Sequence, residues 1–194
     1  MIDSVFSASD VVSCPEILGV RLRPFSIWHS WALKSIDSPY VYGGNFDIED
    51  TCRAVMICAL SREEYAELQQ TEALTVLYGR IAGKYLALSE DDRVKVVGEF
   101  VKYIDACSVF PEFYASEKSD PVRDRLRCPG EWHLVACLLQ LRICDSEESA
   151  FDYPIARAQC WQAVEGERAG SRAYVDQRDR DDFDALNKEA ESNG

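Results

Sequence analysis

Cysteine and histidine side chains follow one face of a predicted helix in the last third of the chain. The face is formed by His133, Cys137, Gln140 and Cys144. At about 100° per residue these side chains share an arc of about 60°. Imidazole and thiolate are ligands that zinc prefers. With Cys128 upstream and a distant thiol such as Cys160, the pattern defines a candidate zinc site.

The spacing of these residues favours packing over metal binding. The run from Cys128 through His133 to Cys137 reads C-x4-H-x3-C, which is not the spacing of the common zinc modules. A narrow, weakly polar stripe of this kind also packs well against a neighbouring helix. We therefore predict no metal ligands and no cofactor.

Other signs of catalysis are weak. The sequence has no G-x-S-x-G, H-E-x-x-H or P-loop motif. His29 lies near Leu33 and Ile36 on the helical wheel, which indicates a hydrogen-bonded packing histidine. The acidic runs over 90–92 and 179–184 fit the positive end of a helix dipole and a solvated tail. We predict that the protein is not an enzyme.

Two of the four tryptophans, Trp28 and Trp31, lie on one predicted helical turn and point about 60° apart. Trp28 follows the apolar stripe and is expected in the core. Trp31 faces away from that stripe, and exposed tryptophan is a common anchor for a protein partner. Trp31 is therefore a candidate partner-binding residue.

Composition limits the classes of partner. The chain has 194 residues, 47% of them apolar, and a net charge of -13, which is typical of a folded globular protein. The negative charge repels nucleic acid and anionic lipid. No apolar run reaches the roughly 18 residues of a membrane span, and the N-terminus lacks a secretory signal pattern. We expect a cytoplasmic protein whose eight cysteines are reduced.

Helical periodicity dominates the first half of the chain. It predicts a helix over about 24–36 with Pro24 in its first turn, and a second helix that is capped by Asp47 and ends near Leu60. Ser61 and Glu64 restart a helix, which is interrupted at 69–71. Further helices follow over 74–85 and about 89–108. Residues 40–46 are the expected site of a short strand or hairpin.

The second half begins after a stretch punctuated by prolines. The pattern predicts a helix over 131–144 that is nearly buried because it is apolar around most of its circumference. Asp145 with Glu148 is the expected cap of the next helix, and Pro154 starts a further helix to about Ala169. Residues 176–192 are expected to form a solvated helix or a frayed tail.

These elements predict an all-α protein, a compact bundle of about seven or eight helices. It forms one domain or two closely packed subdomains. The division places an N-terminal helical subdomain at 1–110, a connecting loop at 111–130, and a C-terminal helical subdomain with an acidic tail at 131–194.

Two stretches resemble a known family. Residues 19–30, GVRLRPFSIWHS, with Leu33 and the Ser-Pro pair at 38–39, are similar to the opening of small helical proteins encoded among the tail genes of tailed bacteriophages and prophage-like elements. Residues 146–158, SEESAFDYPIARA, followed by Trp161 and residues 167–170, resemble the "E-E-A-W-x-x-P, then A-R-A" ending of phage tail assembly chaperones. This chain has Ser149 and Phe151 where that pattern has Ala and Trp.

The resemblance implies a non-enzymatic assembly factor that binds a long, helical tape-measure protein while the tail tube polymerises, and then leaves. On that basis we expect Phe151, Tyr153 and Trp161 to set the C-terminal helix pair. We expect the exposed side of the first helix, including Trp31, to contribute to recognition. The oligomeric state and the identity of the partner are not predicted.

Two alternative functions are compatible with the same composition. The first is a structural or tail-completion component that stays in the particle, which differs from a chaperone by its presence in mature virions. The second is a metal-binding protein that uses the Cys/His stripe, and zinc content together with thiol titration tests it.

Overall fold

A computed structural model describes residues 14–107 and 129–169 of the chain. Within these two ranges the protein is compact and predominantly helical, with nine helices and one two-stranded sheet. The predicted all-α fold class is confirmed. The short helix Pro39–Tyr42, which periodicity did not predict, brings the number slightly above the predicted seven or eight.

The elements are numbered in chain order. The strands are β1 (Glu16–Ile17) and β2 (Val20–Arg21). The helices are α1 (Ile27–Ser35), α2 (Pro39–Tyr42), α3 (Ile48–Cys58), α4 (Arg62–Gln69), α5 (Ala73–Leu86), α6 (Glu90–Cys107), α7 (Gly130–Gln140), α8 (Glu147–Phe151) and α9 (Ile155–Arg168).

The β1–β2 hairpin was not predicted from the sequence. Its strands are antiparallel, and its two turn residues, Leu18 and Gly19, both have positive φ, at 52° and 72°. Two positive φ values give the tight hairpin turn that matches the twist of the strands. The side chain of Lys84 also occupies the space where a Cβ on residue 19 would lie. The positive φ therefore favours glycine there, whereas the flexible end of Lys84 could move aside for a larger residue.

A strand or hairpin over residues 40–46 was the wrong prediction. Pro39 follows the extended residue Ser38 and starts the four-residue helix α2, because its fixed φ suits the first helical position. Gly43 and Gly44 then have φ of 77° and 138° and lead the chain out of the helix. The glycines mark the end of a helix rather than the turn of a hairpin.

Helix α1 starts three residues later than Pro24 indicated. Ser26 is the N-cap, and its hydroxyl accepts a hydrogen bond from the backbone N–H of His29. The His29 ring completes the reciprocal contact by accepting from the Ser26 N–H at 2.9 Å. A histidine thus takes the place that glutamate or glutamine has in the usual capping box.

Helix α1 is the central helix of the described residues. Six of its nine residues are buried: Ile27, Trp28, His29, Ser30, Ala32 and Leu33. It packs against α2, α3, α7, α8 and α9. The sequence predicted one buried face for α1, but neighbouring helices cover most of its circumference, so more of the helix is buried than predicted.

The caps predicted for α3 and α4 are confirmed. Asp47 and Asp50 form a reciprocal capping box at the start of α3, and Ser61 and Glu64 form one at the start of α4. The chain leaves the helix between Gln69 and Ala73, as predicted, before α5 begins. These starts were predictable because a cap is a local interaction between residues three apart.

Helix α7 is shorter and more exposed to solvent than the sequence predicted. It ends at Gln140 rather than Cys144, because Arg142 takes a left-handed φ of 56°. The Ile143 N–H then bonds to the Leu138 carbonyl at 3.0 Å, which is the Schellman arrangement of a helix end. Trp132 and Leu139 are 37% and 36% exposed. Only one face is buried, so the prediction of a nearly buried helix is wrong.

The cap of α8 is also displaced by one residue. Ser146 and Ser149 form the reciprocal capping box, rather than Asp145 and Glu148. Glu147 and Glu148 instead lie in the first turn, near the positive end of the helix dipole.

The starts of α1 and α9 are tied together by backbone hydrogen bonds. The Ile27 N–H donates to the Tyr153 carbonyl at 3.1 Å, and the Ile155 N–H donates to the Phe25 carbonyl at 3.0 Å. One buried apolar cluster contains residues from both described ranges, from Ile17 to Ala158. The predicted connecting loop at 111–130 lies outside the described residues, except for Pro129 and Gly130, and so does the predicted acidic tail.

A buried carboxylate joins α1 to α7. Glu131 is 3% exposed, and its Oε1 accepts hydrogen bonds from Ser30 Oγ at 2.8 Å and Lys34 Nζ at 2.5 Å. Its Oε2 is buried without a hydrogen-bond partner in the described structure. Burial raises the pKa of Glu131, but the contacts with Lys34 and Ser30 outweigh it and hold that pKa below its ordinary value.

None of the described helices combines the length and the apolar character that a membrane crossing requires.

Candidate functional site

An open groove with a volume of about 400 Å³ runs between α3 and α5. We call it the α3–α5 groove. Its walls come from the end of α1, from α3, α4 and α5, and are formed by Ile36, Glu49, Arg53, Met56, Ile57, Tyr65, Leu74, Thr75 and Tyr78. The groove lies over the edge of the core, so apolar side chains line much of it.

One end of the α3–α5 groove is apolar. Met56 and Ile57 are 6% and 3% exposed and form part of the core. Leu74 and Tyr65 are partly buried and pack against that core, and Tyr65 contacts Trp28 with 5.4 Å between ring centroids. Ile36, just after α1, is 38% exposed. This end offers a preformed apolar floor with a rim that solvent reaches.

The other end of the α3–α5 groove is charged. Glu49 and Arg53 lie one turn apart on α3 and form an ion pair, with side chains 57% and 49% exposed. Asp47 and Asp50 lie next to them at the start of α3. Burial, followed by the neighbouring Cys52 and Glu49, raises the pKa of the Tyr78 phenol, which therefore stays a neutral hydrogen-bond donor at neutral pH.

This groove was missed by sequence reasoning. Met56, Ile57 and Leu74 belong to ordinary helical apolar stripes, and such stripes show which face is buried but not which neighbour leaves a gap. The gap depends on the angle and spacing of α3 and α5. One available signal was the charged pair Glu49 and Arg53, one turn apart on the same helix as the apolar residues Met56 and Ile57.

His29 is the packing histidine that the sequence predicted. It is 2% exposed, and its Nδ1 accepts from the Ser26 N–H, so its Nε2–H donates to the Leu60 carbonyl at 2.9 Å. Burial lowers the pKa of His29 to about 4, although the Leu60 bond and Asp152 oppose the shift. Both ring nitrogens are engaged with backbone, so neither is available to a substrate or a metal.

The candidate zinc residues are not gathered into a site in the part of the chain that the structure describes. Cys144 lies beyond the end of α7 and leaves the face on which His133 and Cys137 lie. Within residues 14–107 and 129–169, no group of three His, Cys, Asp or Glu side chains is placed to hold a metal ion. Cys128 lies outside those residues. Burial also raises the pKa of Cys137 and Cys160, which disfavours the thiolate that zinc requires.

The acidic run at 90–92 lies where a helix dipole favours it. Glu90, Asp91 and Asp92 form the first turn of α6. Asp92 is further held by Ser89 at 2.7 Å and by Lys95 at 2.7 Å, which confirms the interpretation of this run as local helix stabilisation. The run over 179–184 lies outside the described residues.

The four predicted partner-binding residues fall into three environments. Trp31 is 40% exposed on α1, whereas Phe151 is 3% exposed and meets Trp132 edge-on at 5.0 Å. Tyr153 is partly buried before α9, and its hydroxyl accepts a hydrogen bond from Trp161 Nε1 at 3.2 Å. The structure therefore brings Tyr153 and Trp161 together, places Phe151 inside the core, and leaves Trp31 at the surface of another helix.

The aromatic environment of Phe151 also includes a cation. The guanidinium of Arg62 lies 4.7 Å from the centroid of the Phe151 ring, and the Arg62 backbone N–H donates to Asp152 at 3.2 Å. These contacts connect the start of α4 with the end of α8. Phe151 is thus a packing residue that joins the two described ranges.

No protein-family model matches the chain, and neither the curated proteins nor the solved structures contain a match to it.

Proposed function

We propose that the protein is a non-enzymatic assembly factor that binds an amphipathic helix of a protein partner. The observation that carries the proposal is the α3–α5 groove, whose apolar end has a floor of core residues and a rim that is open to solvent. A groove of this kind accepts the apolar face of a third helix. The net charge of -13 helps to keep a complex with an apolar partner soluble.

The resemblance of residues 19–30 and 146–158 to tail assembly chaperones supports a more specific partner. We propose that the helix belongs to a tape-measure-type protein and that the chain leaves before the particle is complete. A long helical protein exposes repeated apolar faces before it assembles, so a factor that covers one face at a time limits its aggregation.

The experiment compares two neighbouring substitutions on α5 in tagged protein captured from cells that assemble the particle. Thr75→Trp fills the groove, because Thr75 lines it. Val76→Trp is the matched control, because Val76 is the next residue, is 60% exposed and does not line the groove. Circular dichroism first establishes that both variants are folded.

We expect the wild-type protein and Val76→Trp to capture a long helical tail protein, and Thr75→Trp to lose it. We also expect mass spectrometry of mature particles to find no copy of this chain. Equal capture by both variants would remove the groove as the binding site. A fixed number of copies in mature particles would instead identify a retained structural component.

Trp31 gives a second contact to test. Its side chain is 40% exposed on the central helix, so Trp31→Ala removes surface area with little change to the core. We expect weaker capture of the same partner, since tryptophan is enriched among the residues that dominate interfaces. Unchanged capture by Trp31→Ala would mean that the groove binds the partner and that the exposed face of α1 does not contribute.

A further inference from the structure

The α3–α5 groove has two unlike ends, and their separation can be read from α3. Glu49 marks the charged end and Met56 the apolar end, seven residues apart on one helix. At 1.5 Å per residue this is about 10 Å along the axis. A helix lying along α3 has the same rise, so two of its residues seven positions apart match the two ends.

The charged end is negative overall. Over residues 47–53, the start of α3 carries three acidic residues, Asp47, Glu49 and Asp50, against one basic residue, Arg53, which pairs with Glu49. The helix dipole adds about half a positive charge at the start of α3, which offsets only part of the excess. Arg53 contacts one carboxylate oxygen of Glu49, and a carboxylate has acceptor capacity for further donors. The complementary group is therefore a cation.

We propose that the occupant of the α3–α5 groove is a partner helix carrying a large aliphatic residue and, seven positions away on the same face, a lysine or arginine. The aliphatic side chain enters the apolar end beside Met56, Ile57 and Leu74. The cation reaches Glu49 and the hydroxyl of Tyr78 lies beside it. This inference rests on the proposed function and specifies the chemistry of the partner.

A second copy of this chain fits the groove less well. Two chains that each carry a net charge of -13 repel one another, and the charged end of the groove adds to that repulsion. A basic amphipathic helix is instead attracted both by the net negative charge of the chain and by the charged end of the groove. Sedimentation of the protein alone is therefore expected to give a monomer at concentrations where the basic helix binds.

The test uses three synthetic helical peptides with the same leucine stripe. The first carries lysine seven positions from the anchoring leucine. The second has the same composition but carries that lysine five positions away, which turns it about 140° from the anchoring leucine. The third carries glutamate in place of the correctly placed lysine. Binding to the full chain is measured by fluorescence anisotropy.

We expect the first peptide to bind at least tenfold more tightly than the second or third. On the protein, Glu49→Lys is expected to reduce its affinity at least tenfold. Glu99→Lys is the control, because it makes the same charge change at an exposed residue of α6 outside the groove, and it is expected to change the affinity less than twofold.

Equal binding of the first two peptides, no binding of the first, or equal effects of Glu49→Lys and Glu99→Lys would overturn the inference. The Thr75→Trp variant separates this failure from failure of the proposed function. If Thr75→Trp loses the cellular partner while Glu49→Lys keeps it, the groove still binds a helix but without a cation at Glu49. If Thr75→Trp keeps the partner, the groove is not the binding site, and both the groove-based part of the proposed function and this inference are wrong.

Discussion

His29 and Glu131 both join α1 to other parts of the molecule through buried polar contacts, but the contacts differ in charge and in completeness. The neutral His29 ring uses both nitrogens on backbone groups, at Ser26 and at Leu60. The Glu131 carboxylate has one oxygen shared by Ser30 and Lys34 and a second oxygen without a partner in the described structure.

The difference indicates where α1 is held most strongly. A buried neutral group with all its hydrogen bonds made costs little to desolvate, and its removal leaves backbone groups unsatisfied. A buried ion pair must first offset the desolvation of its charges, and Lys34 remains 38% exposed. We therefore expect the His29 contact to contribute more stability than the Glu131 contact.

The largest expected effect comes from His29→Leu. The change leaves the Ser26 N–H and the Leu60 carbonyl without their partners inside the core, at a cost of about 4 kcal/mol in the free energy of unfolding. Urea denaturation followed by circular dichroism measures it. His133→Leu is the control, because His133 is only partly buried on α7, and we expect a loss below about 1 kcal/mol.

His29→Gln keeps the comparison measurable if His29→Leu fails to fold. The glutamine amide oxygen can accept from the Ser26 N–H, as in the usual capping box, but the amide does not reproduce the ring geometry that also reaches the Leu60 carbonyl, so its loss should fall between those of the wild type and His29→Leu. A loss in His29→Leu no greater than in His133→Leu would mean that the backbone groups find other partners.

The next effect is a dependence of stability on pH. His29 has a pKa of about 4 in the folded protein against 6.5 as its ordinary value, so the unfolded chain binds the proton more readily between these values. The stabilisation is complete above pH 6.5 and is lost as the pH falls towards 4, by about 3 kcal/mol in total. Urea denaturation at several pH values should show this slope in the wild type and its absence in His29→Gln.

Glu131 acts in a lower pH window. Its folded pKa lies below the ordinary 4.5, so its contribution is present above pH 4.5 and is lost as the pH falls through the folded value. The two contacts can therefore be separated by pH. An equal slope between pH 4 and 6.5 in the wild type and in His29→Gln would show that His29 does not control this window.

A smaller effect is expected from Lys34→Met. Without the ammonium, the buried Glu131 carboxylate keeps only the hydrogen bond from Ser30, and the loss of its counter-charge costs about 2 kcal/mol at pH 7. The figure lies below the usual range for a fully buried pair because Lys34 is partly exposed. The loss should shrink as the pH falls and the carboxylate takes up a proton.

Lys95→Met is the control for Lys34→Met. Lys95 also pairs with a carboxylate, that of Asp92, but both side chains are exposed on α6. We expect no measurable change in the free energy of unfolding. Equal losses in the two variants would show that the Glu131 carboxylate is solvated despite its 3% exposure.

The sequence predicted local features of this fold well. The caps of α3 and α4 were identified because both partners lie three residues apart in the chain. The start of α1 was misplaced because its capping partner is His29, a residue that rarely fills this role. The end of α7 was misplaced because nothing in its apolar pattern indicates the left-handed conformation of Arg142.

The candidate site depends on contacts that local patterns do not contain. Glu131 was assigned to a helix start, yet its burial depends on Ser30 and Lys34, about a hundred residues away in the chain. The α3–α5 groove likewise depends on the angle and the spacing between α3 and α5. By contrast, the orientation of Trp31 was predictable, since its direction relative to Trp28 follows from helical geometry alone.

The smallest expected effect comes from Ser30→Ala, and a second serine on α1 separates the loss of its hydrogen bond from the change in helix propensity. Ser30→Ala removes the hydroxyl that donates to Glu131 at 2.8 Å, and we expect a loss of about 1 kcal/mol after the better helix propensity of alanine is included. Ser35→Ala makes the same change on α1, where the hydroxyl donates only to the Ala32 carbonyl of its own helix at 2.7 Å. That variant should be neutral or slightly more stable. A loss in Ser30→Ala that persists in full in the Glu131→Met background would show that Ser30 acts through packing, because methionine has no oxygen to accept the hydrogen bond.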